Sequence, residues 1–169
     1  MHEKVTYKNP TLQSAVVIYG WIVSLGSNLQ SLFLLWMRLT WGHQFILAGL
    51  NKLSNIDLTI QFFTSLGIIS PEFHAFLVAY LEVIGGILLI LGLGSRFIAI
   101  PLTMIMITAL STAHAHMLNN FQFLTNPSSL VAEAPYPFLI TSLMILVFGP
   151  GRISIDAWIN RWVHRQPTY

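Results

Sequence analysis

Residues 73–93 read FHAFLVAYLEVIGGILLILGL, followed by Gly94-Ser95-Arg96 and then by FIAIPLTMIMITALSTAH over residues 97–114. Apart from His74 and His114, Glu82 is the only ionisable side chain in the two apolar stretches besides the phenol of Tyr80. Crossing a hydrocarbon core takes roughly 17–25 helical residues. Both stretches are long enough. The polar turn between them is too short for anything but an antiparallel hairpin. This hairpin decides the fold class: an all-α, polytopic membrane protein.

Outward from the hairpin, residues 32–53 form another apolar run of spanning length, and residues 136–150 a shorter one extended by its flanks. The expected architecture is a four-helix transmembrane bundle within residues 31–151, with spans at about 32–53, 73–93, 97–114 and 136–150. Residues 1–30 are expected to hold an interfacial helix over residues 12–25, about 14 residues with Gly20 in the middle. A fifth span is the main alternative for that segment, and a signal-peptide core is a weaker one. Over residues 152–169, Ser154 is placed to cap a helix. Ile155, Trp158, Ile159, Trp162 and Val163 fall on one face of it. Two tryptophans opposite a basic face predict a helix lying in the headgroup region.

Composition agrees. Of 169 residues, 54% are apolar and only 8% charged, where soluble domains carry about a quarter. Such a chain lacks the charge to cover a water-facing surface, so the lipid bilayer is its expected partner. A net charge of +2 without a basic run excludes nucleic-acid binding. The absence of cysteine excludes disulfides, thiol exchange and thiolate-held clusters. With four spans, Lys4, Lys8, Arg96, Arg152, Arg161 and Arg165 fall on one side and only Lys52 on the other. This positive-inside bias predicts an inner (plasma) membrane protein with both termini cytoplasmic.

Ionisable side chains inside a span need a reason. Counted from the presumed inner ends of the spans, Arg38 lies at roughly 10 Å, Glu82 at roughly 15 Å and His43 at roughly 18 Å. These depths predict an Arg38–Glu82 ion pair at mid-membrane, either fixing register or carrying function. His43, about 140° around the helix from Arg38, is a secondary candidate for carrying protons. Gly42 and Gly49 on one helix, and Ala75, Ala79 and Gly86 beside Glu82 on the next, form small-residue faces. They allow close packing; between Gly42 and Gly86 the same surface is a candidate slot for a flat ring such as a quinone. At the opposite rim His114 and His116, with His74, make a candidate copper or zinc site.

The residues from Leu35 to Leu39 with those from Gly49 to Leu53, the outer-loop Leu66-Gly67-Ile68 with Pro71, the run from Tyr80 to Arg96, and Gly149-Pro150-Gly151-Arg152-Ile153-Ser154-Ile155-Asp156 together resemble the DoxX family. The resemblance covers about residues 31–160. It implies a four-helix membrane bundle and points to Arg38, Lys52, Glu82, Arg96, Arg152 and Asp156 as matching polar positions. Some members of that family are small subunits of thiosulfate:quinone oxidoreductases, and others accompany oxidative-stress or metal-handling systems. The functional expectation is therefore a quinone-linked redox subunit. A non-enzymatic scaffold or accessory protein in envelope metal or stress handling is the alternative. Other membrane or periplasmic proteins, or further copies of the chain, are the expected protein partners.

Overall fold

The structure, a computed structural model, describes residues 10–113 and 127–163. These form seven helices: α1 (Pro10–Ser54), α2 (Ile56–Ser65), α3 (Pro71–Leu91), α4 (Ser95–Thr112), α5 (Pro127–Ala132), α6 (Pro135–Phe148) and α7 (Ile155–Val163). No strand occurs among the described residues.

The α3–α4 hairpin forms as the sequence predicts. Gly92, at φ +68°, ends α3 in a left-handed cap. Gly92 N–H donates to Leu89 O and Leu93 N–H to Leu88 O, the paired bonds of a Schellman stop. Gly67 closes α2 in the same way, with Gly67 N–H on Thr64 O and Ile68 N–H on Phe63 O. The glycines of two of the family-like stretches are thus helix stops.

Helices α1, α3 and α4 contain segments long and apolar enough to cross a membrane. At 21 residues, α3 is roughly 31 Å long, close to the thickness of a hydrocarbon core. Helix α6 is apolar but has only 14 residues, or roughly 21 Å. Of the four expected spans, three reach spanning length, and the last is a shorter helix.

Residues 12–25, expected as a separate interfacial helix, are the first turns of α1. The mostly polar residues 26–31 between the two stretches contain no proline, and α1 continues through them. Trp21, Ile22 and Val23 on this part of α1 are exposed. The C-terminal helix does form, and Ser154 caps it by accepting from Ala157 N–H at 3.1 Å. Trp158 and Trp162 are exposed on it.

Helix α1 packs antiparallel on α3 through glycine. A Cβ at Gly49 would lie 2.6 Å from Ala79 O, and one at Gly86 would lie 2.5 Å from Gly42 O. The faces read as small-residue packing surfaces are in backbone contact. On the other side, Phe45, Leu89, Ala99, Leu102, Met106 and Ile145 form the buried core. Phe138 of α6 sets its ring edge-on to Phe45 at 4.7 Å and to Trp41 at 5.2 Å. Helices α4 and α6 are joined by Thr103 Oγ1 donating to Ser142 Oγ at 3.0 Å.

Candidate functional site

The register of α1 on α3 decides which charges meet. Gly42 faces Gly86 and Ile90, Gly49 faces Ala79 and Val83, and Arg38 comes level with Gly92. Arg38 therefore sits at the turn end of α3, while Glu82 is about halfway along it. Ten residues separate Gly92 from Glu82, or roughly 15 Å of helix. The expected Arg38–Glu82 pair does not form. The depth count placed Arg38 several residues inside a span that was taken to start at residue 32. In the folded chain α1 begins much earlier, and the glycine contacts, not the apolar boundary, set the register.

Glu82 pairs instead with Lys52. Lys52 Nζ lies 2.5 Å from Glu82 Oε2, with the Glu82 side chain 2% exposed and that of Lys52 28% exposed. Lys52 sits near the far end of α1, and its four-carbon stem reaches back along α3 to the carboxylate. The sequence reading placed Lys52 on the outer rim and did not couple it to Glu82. The usable signal was that Lys52 is the sole basic residue on that side and Glu82 the sole acid inside the second span.

Arg38, 1% exposed, has a different role. Its Nη1 donates to Pro150 O and its Nη2 to Ile153 O, both at 2.7 Å. The planar fork of the guanidinium suits two such acceptors. A Cβ on Gly92 would run into Arg38 Nη1 and Ser154 Cβ, so a glycine at this cap also makes room for the arginine. Asp156 completes the junction. Its Oδ1 accepts from Gly94 N–H at 2.8 Å and its Oδ2 from Ser95 N–H at 3.0 Å. A carboxylate thus caps the positive end of the α4 dipole. Asp156 N–H in turn donates to Gly92 O at 2.9 Å. Its negative charge also acts on Arg38. This lock fastens the segment from Pro150 to Asp156 under the α3–α4 turn.

The remaining candidates are dispersed. His43 is exposed on α1 and joins neither polar centre. Gly42 and Gly86 are closed against each other, so a flat ring has no room between them. His74 is partly buried with its Nδ1 3.1 Å from Ser70 O. His114 and His116 lie outside the described residues. Among the described residues no group of three or more potential metal ligands comes together.

Comparison with known proteins identifies the family. The DoxX family model matches residues 33–115, which contain Arg38, Lys52, Glu82 and the Gly92–Gly94 turn. A protein of Bacillus subtilis (strain 168) named "Putative oxidoreductase CatD" is 31% identical over 123 residues, covering 73% of this chain and 84% of that protein. No solved structure matches the chain. The matched region holds both halves of the ion pair and the spanning helices that carry them, and this all-helical, lipid-embedded membrane protein belongs to the DoxX family.

Proposed function

We propose that this chain is a multi-pass inner-membrane component of a quinone-linked redox system, with the Lys52–Glu82 pair as its proton-holding centre. The observation that carries this reading is a carboxylate buried halfway along a spanning helix with a lysine brought to it. Ionisable groups at that depth are costly and mark functional sites by default. The oxidoreductase name of the Bacillus subtilis relative supports the reading. In the proposed topology α6 completes a four-helix bundle and both termini face the cytoplasm, as the basic residues favour.

A quinone, when bound, supplies the carrier that takes up electrons and protons in equal number. The chain has no cysteine to hold a thiolate-bound redox cluster, and in this reading a partner redox protein delivers the electrons. The chain's own contribution is the proton shared between Lys52 Nζ and the Glu82 carboxylate, with Lys52 as the less buried hydrogen-bond donor. The experiment is quinone-coupled electron transfer in membranes that carry Glu82→Gln, with solvent extraction of the purified protein for bound quinone. Lost transfer and an extracted quinone support the reading. Intact transfer in the variant, with no quinone in the extract, ends it.

The second reading is a non-enzymatic scaffold or accessory protein in envelope metal or oxidative-stress handling, with copper or zinc at His114, His116 and His74. It is favoured by the spending of Arg38 and Asp156 on backbone groups, which is an architectural use of charge. Stable co-purification with a membrane or periplasmic partner, without quinone turnover, supports it.

A further inference from the structure

Below the α3–α4 turn the lock leaves a recess of about 700 Å³, whose lining includes Gln30, Arg96, Arg152, Asp156 and Asn160. Its charge balance is positive. Asp156 is the one acid in the lining, and both of its oxygens are engaged by backbone N–H groups. Arg96 is exposed and lies across Gly149, with a hydrogen bond of 3.3 Å to Val147 O. Arg161 is drawn to the same place, its Nη2 donating to Arg152 O at 3.3 Å. Two guanidinium-bearing residues, Arg96 and Arg152, thus line a recess with one carboxylate, and Arg161 is bonded to the backbone of one of them.

The recess has an apolar neighbour. A groove of about 420 Å³ runs between α1 and α6, lined by Leu29, Phe33, Met144 and Phe148, and it shares Gln30, Leu34 and Phe148 with the polar recess. Phe33 and Phe148 are about half exposed. Trp158 and Trp162 of α7 stand exposed beside this end of the bundle, and tryptophans of that kind settle at headgroup level. A cationic recess at headgroup depth that opens into an apolar groove has the shape and polarity of an anionic amphiphile.

We propose that this junction is a binding site for an anionic phospholipid, its phosphate held by Arg96 and Arg152 and one acyl chain laid along Leu29, Phe33, Met144 and Phe148. Basic recesses beside membrane helices select anionic headgroups, and the Arg fork matches phosphate oxygens. The lipid also bridges α1, α4, α6 and the segment that Arg38 and Asp156 lock in place. Binding there steadies the same junction from outside.

The test is lipid retention by the purified full-length protein, read by native mass spectrometry from mixed micelles of phosphatidylglycerol and phosphatidylcholine. The wild type is expected to keep phosphatidylglycerol preferentially. Arg96→Gln/Arg152→Gln should lower that preference roughly thirtyfold, and Arg96→Lys/Arg152→Lys should restore much of it. Millimolar inorganic phosphate should not displace the lipid, because the groove contributes to holding it. No headgroup preference in the wild type overturns the proposal. Equal losses in the arginine-to-glutamine and arginine-to-lysine variants, or displacement by phosphate alone, overturn it as well. The wild-type arm does not depend on any variant folding.

Discussion

Lys52 Nζ meets Glu82 Oε2 at 2.5 Å, across the contact where α1 and α3 approach through Gly49 and Ala79. A lysine from the end of one helix reaches the middle of the next, and a buried carboxylate gains its counter-charge. The close backbone contact is what permits the reach. A larger residue at Gly49 would hold the helices apart and leave Glu82 uncompensated.

The pair should behave as a unit in stability. Removing one partner of a buried ion pair costs about 3–5 kcal/mol, while replacing both with apolar residues is often near neutral. Lys52→Met alone and Glu82→Met alone are each expected to destabilise by about 3 kcal/mol. The double variant should cost less than either single change. Unfolding in detergent–denaturant mixtures measures this, and strictly additive costs would mean that the pair is not coupled.

Gly49→Ala and Gly86→Ala should each push α1 from α3, since the added Cβ meets backbone atoms rather than a flexible side-chain end. Overpacking of this kind costs about 1–3 kcal/mol. Gly20→Ala, with nothing within 4 Å of the added Cβ, should be neutral or slightly stabilising. A uniform response across the three glycines would contradict the packing described here.

Arg38→Lys should loosen the C-terminal segment, because one ammonium does not reproduce a fork over Pro150 O and Ile153 O. Asp156→Ala should do the same by uncapping α4, at a cost of about 1–2 kcal/mol. The readout is proteolysis between residues 149 and 163, faster in both variants. The same variants should leave cleavage in α2 unchanged.

The topology is open to a simple test, since the chain has no native cysteine. In intact cells Ser54→Cys should react with a membrane-impermeant maleimide, and Asn160→Cys should react only after lysis. The reverse pattern would invert the proposed orientation. Labelling of neither in intact cells would place Ser54 on the wrong face.

A rim metal site at His114, His116 and His74 predicts about one equivalent of copper or zinc after loading, lost in His114→Ala/His116→Ala. Equal metal content in the wild type and the double variant ends that reading.

The hairpin with its polar turn and the capped C-terminal helix were legible because they rest on local signals: apolar length, a short glycine-serine turn, serine before a helix. Arg38 and Glu82 also stood out as charges in apolar surroundings, and both are buried. Their partners were not legible. Depth along a helix depends on where the helix begins, and α1 runs from Pro10 straight through the polar residues 26–28. The register of α1 on α3 is fixed by contacts at Gly42, Gly49 and Gly86 that no single helix reveals. Lysine adds further freedom, because its stem moves its charge along the helix away from its own Cα. The role of Asp156 was hidden for a related reason: it caps α4, a helix some sixty residues earlier in the chain.

The most direct test of the central claim is quinone-coupled electron transfer in native membranes that carry Glu82→Gln, with protein level checked by immunoblot. At least a tenfold loss at unchanged protein level is expected, in line with removing a positioned proton donor or acceptor. An unchanged rate at unchanged level would contradict the claim and leave the Lys52–Glu82 pair as a purely structural link between α1 and α3.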